Sequence, residues 1–287
     1  MTALIDVPPG LNGVAVTETR IGDVLGDEGR YHYRGLDAPD LARHHSFDQV
    51  WHLVAVGHLP DADELAAFEA AAAAARTMPP SVLPILEPLA RAAGATLGRV
   101  RAAISVAATD LGLRPLIDLT PDEREAQART VAAVMPVLVA GLHRASLGLE
   151  PVAADPDLGH AAADLQMVTG ARPTDVAARA LEQYLILTID HGFNASTFTG
   201  RVVASTGASI VDVVCAAIGA LAGPLHGGAP SRALDALDAI GTPDRAADWV
   251  RGELTAGRRR GAARPARRGR RRRRRRGRPR SRPRRGP

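Results

Sequence analysis

The sequence predicts an all-α body that opens on a short β hairpin and ends in a disordered, Arg-rich tail. Three observations predict it. Residues 12–36 hold nearly all the β-prone pieces. From Ser46 to Gly241, apolar residues recur at helical spacing behind recognisable start signals. After Gly257 the composition narrows to little but Arg, Gly, Pro and Ala, with no apolar periodicity left.

In chain order, Val14–Thr17 and Gly29–Tyr33 read as the two β-prone pieces, separated by Gly22-Asp23 and Gly26-Asp27. Ser46 is an N-cap for a helix over Phe47–Gly57, and Pro60-Asp61 opens a second helix that runs into the alanine run Ala70–Ala75. That run reads as a close helix–helix contact. Thr120-Pro121-Asp122-Glu123 combines an N-cap, Pro at the first helical position and early acids. The segment Ala126–Leu142 behind it is apolar almost all round, which predicts a buried helix bent at Pro136. Pro173-Thr174-Asp175 starts a helix whose apolar positions are Val176, Ala180, Leu181, Tyr184, Leu185 and Thr188. Further helices are expected over 196–206, 210–221 and 230–241. No internal repeat is visible.

Charge divides the chain in two. All 36 basic residues are Arg, and 18 of them lie from Arg258 onward, where no Asp or Glu occurs. Residues 1–257 therefore set 18 Arg against 31 acids, a formal charge of −13. The pI near 10.4 averages an acidic body and a basic tail. The tail, with Arg270–Arg276 uninterrupted, buries no core and is expected to be disordered. Its GC-rich codon families, beside a body without Lys, read as a shifted frame through GC-rich DNA.

The single Cys215 excludes an internal disulfide framework and suits a reducing, cytoplasmic setting. Its apolar neighbours predict a buried helical thiol, with a reactive thiol as the alternative. The N-terminus lacks the basic and apolar regions of a secretory signal, and no apolar run approaches the ~20 residues needed to span a bilayer. No membrane association is expected.

The chemistry concentrates between Thr188 and Ala229. His191 follows Asp190 where an apolar helix ends; there it reads either as a donor to a substrate carboxylate or carbonyl, aided by Asn194 and the next helix N-terminus, or as a buried histidine satisfied by a backbone carbonyl. Of the two, the residues favour the buried one. His226 lies between Gly223-Pro224 and Gly227-Gly228, whose glycines permit close approach of a ligand. The helix expected from Pro230 favours a neutral ring, able to stabilise a developing enolate oxygen. The alternative is a turn histidine whose glycines serve only the chain reversal. His32, His44, His45, His52, His58, His143 and His160 show no metal-ligand spacing with one another or with Cys215, and read as surface or packing residues. The glycines fit neither a dinucleotide nor a P-loop fingerprint, and no Gly-x-Ser-x-Gly elbow is present.

Two of these segments, Asp190-His191-Gly192-Phe193-Asn194-Ala195-Ser196-Thr197 and Gly223-Pro224-Leu225-His226-Gly227-Gly228-Ala229, closely resemble motifs of citrate synthases in the same order. Gly29–Gly35 with Asp40-Leu41-Ala42, and Ser46–Val50 through Gly57–Pro60, resemble that family's N-terminal region. The resemblance covers about residues 10–257 and points to the bacterial citrate/2-methylcitrate synthase branch. It implies the family's large helical domain over residues 37–257, after an N-terminal β-containing segment, 1–36, and before the tail, 258–287. It implies that His226 is catalytic, hydrogen-bonding the acyl-CoA carbonyl oxygen as the enol forms. His191 would bind oxaloacetate, and Asn194 would help shape that pocket.

The implied reaction is condensation of acetyl-CoA or propionyl-CoA with oxaloacetate, then thioester hydrolysis to citrate or 2-methylcitrate and CoA, as in the tricarboxylic acid cycle. No metal or other cofactor is implied, acetyl-CoA being a co-substrate, and a homodimer or larger assembly is expected. The family pattern continues past Thr255–Arg259 into a Gly-Phe-Gly-His motif and an aspartate base. Residues 258–287 carry neither, so the small domain reads as missing and turnover by these 287 residues as severely impaired. Two other readings remain: a non-catalytic subunit pairing with intact synthase, and a polyanion-binding protein acting through the tail. Against the latter, the tail has no interleaved aromatics and the body is acidic.

Overall fold

The computed structural model describes residues 15–223, 226–227 and 229–256. The expected disordered tail and the segment Met1–Val14 lie outside the described residues. The chain divides into two compact units, one up to Gly227 and one from Gly228.

The first unit opens on an antiparallel sheet of β1 (Gly22–Leu25), β2 (Arg30–Tyr33) and β3 (Leu36–Asp37), in the order β1-β2-β3. Gly22 pairs with Tyr33 and Leu25 with Arg30. The expected hairpin is present, but β2 pairs with Gly22–Leu25 rather than with residues 14–17, of which 15–17 form no strand. The β2–β3 turn places Arg34 and Gly35 both at positive φ (49° and 85°), the signature of a type I′ turn. Arg34 is held in that unusual conformation by donating to the carbonyl of Val54 at 2.9 Å.

Helices follow where capping residues start them. Ser46 caps α2 (Phe47–Val56), Asp61 caps α3 (Ala62–Ala75) and Thr120 caps α6 (Pro121–Ser146), each in a reciprocal capping box. Thr174 caps α8 (Asp175–Thr188) and Ser209 caps α10 (Ile210–Leu221). Between them lie α1 (Ala38–His44), α4 (Leu83–Arg91), α5 (Thr96–Ala107), α7 (His160–Thr169) and α9 (Ala195–Ala204).

The core sits around α6, which remains helical through Pro136. One apolar cluster joins Leu86 of α4, Ile104 of α5, Leu138 of α6 and Ile218 of α10. A second joins Tyr33, Leu41, Trp51, Phe68, Ala133 of α6 and Ile186 of α8. Of the alanine run in α3 only Ala72 is fully buried, so the close contact is narrower than the sequence implied. The expected helix is α8, and its apolar residues are largely outward: Val176 is 81% and Tyr184 61% exposed, and Ile186 is the fully buried side chain of that helix. Cys215 is half-buried, near Ser105, rather than buried.

The second unit contributes α11 (Ala229–Ile240), close to the helix expected over 230–241, and α12 (Ala246–Thr255). Among the described residues, no helix is long and apolar enough to cross a membrane.

Candidate active site

The sheet sets where the histidine loop begins. The buried Tyr33 hydroxyl donates to the carbonyl of Ile186 at 2.9 Å, and the Tyr31 hydroxyl to that of Leu187 at 3.1 Å. Those are among the carbonyls that a helix C-terminus leaves without an intrahelical partner. Burial, reinforced by Tyr31 nearby, pushes the Tyr33 hydroxyl well above its ordinary pKa, so it stays a donor. The next residues fold against β1. Asp190 accepts from the backbone N–H of Gly192 at 3.1 Å, and Gly192 takes φ 85°. A Cβ at Gly22 would collide with the Asp190 carboxylate, so strand and loop meet where only a glycine fits.

Asn194 is the N-cap of α9. Its Oδ1 accepts from the backbone N–H groups of Ser196 and Thr197, both at 3.0 Å, and from the Ser196 hydroxyl at 2.6 Å. Its amide nitrogen donates back to the Gly192 carbonyl at 3.3 Å. Asn194 therefore shapes the loop through its cap.

His226 closes on the same turn. Its Nε2 lies 3.0 Å from Ser196 Oγ. Ser196 has one proton and gives it to Asn194 Oδ1, so Oγ accepts and His226 Nε2 donates. In the neutral ring this leaves Nδ1 with the lone pair. The helix N-terminus beside the ring is that of α9, through the Ser196 contact. A Cβ at Gly227 would meet the carbonyl oxygen of Leu221 at 2.5 Å, so the turn after His226 packs on the end of α10.

His191 is exposed, which overturns the reading of a buried histidine. Its ring lies edge-on to that of His226, with centroids 6.5 Å apart and planes at 70°. The structure thus brings His191, Asn194 and His226 together at one helix N-terminus, and adds Ser196. Sequence reasoning quoted Ser196 inside a motif without a role; its place two residues after an Asn N-cap was the available signal. Neither His191 nor His226 lines the cavities of about 280 Å³ (Arg76, Met78, Val137, Val152 among its walls) and 260 Å³ (Thr19, Gly22, His32, Arg34).

The remaining histidines divide. His160 is buried against Phe47 and Trp51, with ring centroids 4.7 and 5.4 Å away, and burial lowers its pKa to about 4. It is a packing residue, as expected. His52 and His58 depart from expectation: with Glu64 they bring three potential ligand atoms within 4.8 Å of one another.

The helical body on its short N-terminal sheet has relatives of solved structure. It superposes on citrate synthases of solved structure from Pyrobaculum aerophilum (TM-score 0.76, 34% identity, 85% of this chain and 65% of that one) and Thermotoga maritima (TM-score 0.75, 31% identity, 87% and 65%). The chain belongs to the citrate synthase family: the family model described as citrate synthase, C-terminal domain, matches residues 10–261. It is 35% identical over 251 residues to a citrate synthase of Deinococcus radiodurans, covering 87% of this chain and 65% of the relative. It is 39% identical over 254 residues to a 2-methylcitrate synthase of Mycobacterium tuberculosis, covering 87% and 62%. The chain thus spans just under two thirds of the length of these relatives.

Proposed function

We propose that this chain carries the oxaloacetate- and acyl-CoA-handling histidines of a citrate or 2-methylcitrate synthase reaction. The observation that carries the reading is the convergence of His226 and His191 on the N-terminal turn of α9. An exposed imidazole beside a helix N-terminus suits a dicarboxylate, and His191 takes the role of oxaloacetate anchor. Asn194, by capping α9, fixes the turn on which that anchor rests. His226 acts as donor to the thioester carbonyl oxygen while the enol forms. In the arrangement seen, its Nε2 proton is committed to Ser196. Donation from Nδ1 to a substrate requires the proton to move to that nitrogen and the Ser196 hydroxyl to turn from Asn194 toward Nε2.

These 287 residues hold no Asp or Glu after Glu253. Loss of a general base typically costs ~10²–10⁴ in rate, so the polypeptide as written binds oxaloacetate with little turnover. Calorimetry with oxaloacetate and a thiol-release assay with acetyl-CoA or propionyl-CoA test both halves. Binding that vanishes in His191→Ala, with thiol release near background, supports the reading; unchanged binding by that variant, or normal turnover, overturns it.

A cytoplasmic homodimer is part of the same proposal. The exposed apolar stripe of α8 supports the dimer, and the single cysteine suits a reducing compartment. The division into 1–36, 37–257 and 258–287 also remains a proposal. A second reading, adhesion to polyanions, rests on the 18 Arg without an acid from Arg258 onward. Weak, steeply salt-dependent retention on heparin would support it.

A further inference from the structure

The α2–α3 hairpin gathers a second group of side chains, remote in sequence from the histidine pair. Gly57, at φ 116°, ends α2 and lets the chain reverse before Asp61 starts α3. The reversal brings His52 of α2, His58 of the turn and Glu64 of α3 to one place, their ligand atoms all within 4.8 Å of each other.

His52 is the anchor. It is 5% exposed, and its Nδ1 lies 3.0 Å from the backbone carbonyl of His58. A carbonyl only accepts, so Nδ1 carries the proton and Nε2 of the neutral ring presents a lone pair. A backbone carbonyl on one imidazole nitrogen is the usual way the other is oriented toward a metal. His58 stands across from it, ring centroids 5.1 Å apart, with its Nε2 3.1 Å from both carboxylate oxygens of Glu64. Glu64 is itself fixed by the capping box: Oε2 accepts from the Asp61 N–H at 3.0 Å, and its own N–H donates to Asp61 Oδ1 at 2.9 Å.

We propose that His52, His58 and Glu64 form a binding site for a divalent transition metal, zinc in the first instance, that clips the end of α2 to the start of α3. Two imidazoles and a carboxylate suit zinc, cobalt or nickel better than the oxygen-seeking magnesium or calcium. Metal–ligand bonds of ~2.1 Å place tetrahedral ligand atoms ~3.4 Å apart. With Glu64 held by its cap, the half-exposed side chain of His58 closes that distance onto the buried His52 by turning. Binding takes the His58 tautomer with its proton on Nδ1, so that Nε2 leaves its hydrogen bond to Glu64 and offers its lone pair to the metal; three protein ligands leave a position for water.

The test is titration of the whole 287-residue protein with Co²⁺, read by its visible d–d absorption, with Zn²⁺ as competitor. One saturable equivalent, displaced by Zn²⁺, is expected. His58→Ala and Glu64→Gln, the latter keeping the capping box, should each weaken binding at least ~10-fold, while exposed His143→Ala binds as wild type. No saturable Co²⁺ band in the wild type, or either site variant binding like it, overturns the proposal.

Discussion

The helices around α6 and those that carry the histidine loop are built on opposite terms. In α6, Val131, Val134, Leu138 and Leu142 are at most 3% exposed and belong to one apolar cluster, while Ala133 belongs to the second. In α8 and α9 the fully buried residues are Ile186 and Gly200, while Val176, Tyr184, Phe198 and Val202 face outward at 36–81% exposure. Yet α9 carries the polar detail that α6 lacks at its centre: the Asn194 cap, the Ser196–His226 hydrogen bond and the packing of Gly200 against Val213 of α10. Stability resides in the first region. The second holds chemistry and a surface left to be covered.

Truncation at the centre should break the contrast most severely. Leu138→Ala removes a side chain with no exposed area, and ~2–5 kcal/mol of stability should be lost in urea unfolding. A loss under 1 kcal/mol would mean that α6 is not the centre of the fold.

Next comes acid sensitivity through His160. Its pKa falls from 6.5 to about 4 on folding, because burial, and then the Arg76 charge, disfavour the cation. The unfolded chain therefore takes up this proton first. The contribution is complete above pH 6.5 and is lost as pH falls toward 4, about 3 kcal/mol in all. Asp48 and Asp164, raised by burial, act with the opposite sign. The measurement is thus the difference between wild type and His160→Gln. Identical stability profiles over that pH window would refute the assignment.

Smaller is the cap. Asn194→Ala should cost ~1 kcal/mol through the lost hydrogen bonds to the Ser196 and Thr197 N–H groups. It should also weaken oxaloacetate binding more than that stability loss explains. Smallest is Val176→Ser, within ~0.5 kcal/mol for a monomer. A larger cost that grows with protein concentration in thermal unfolding would show that α8 is covered in a dimer.

Where a helix began on a Ser, Asp or Thr side chain bonded to the first turn, the sequence announced it, as at Ser46, Asp61, Thr120 and Thr174. Among the unannounced helices, α4, α5, α7 and α12 start at Val82, Ala95, Gly159 and Arg245, none with a side-chain cap bond. Of these, α4, α5 and α7 are specified by packing against neighbours distant in sequence, whereas α12 buries no residue. Helix α1, capped by Asp37, carried the signal and was passed over. At the site, spacing alone does not relate His191 to His226 or make His52, His58 and Glu64 converge. The resemblance pointed to the first pair, and only the reversal at Gly57 reveals the second group.

The contact between Gly22 and Asp190 carries a consequence for how this chain tolerates change. A methyl group at residue 22 has nowhere to go but into the Asp190 carboxylate, and Asp190 is the residue before His191. The hairpin and the histidine loop are therefore coupled at this contact. An alanine at residue 22 would have to displace the Asp190 carboxylate from the Gly192 N–H, so a change in the strand is felt in the loop that carries His191.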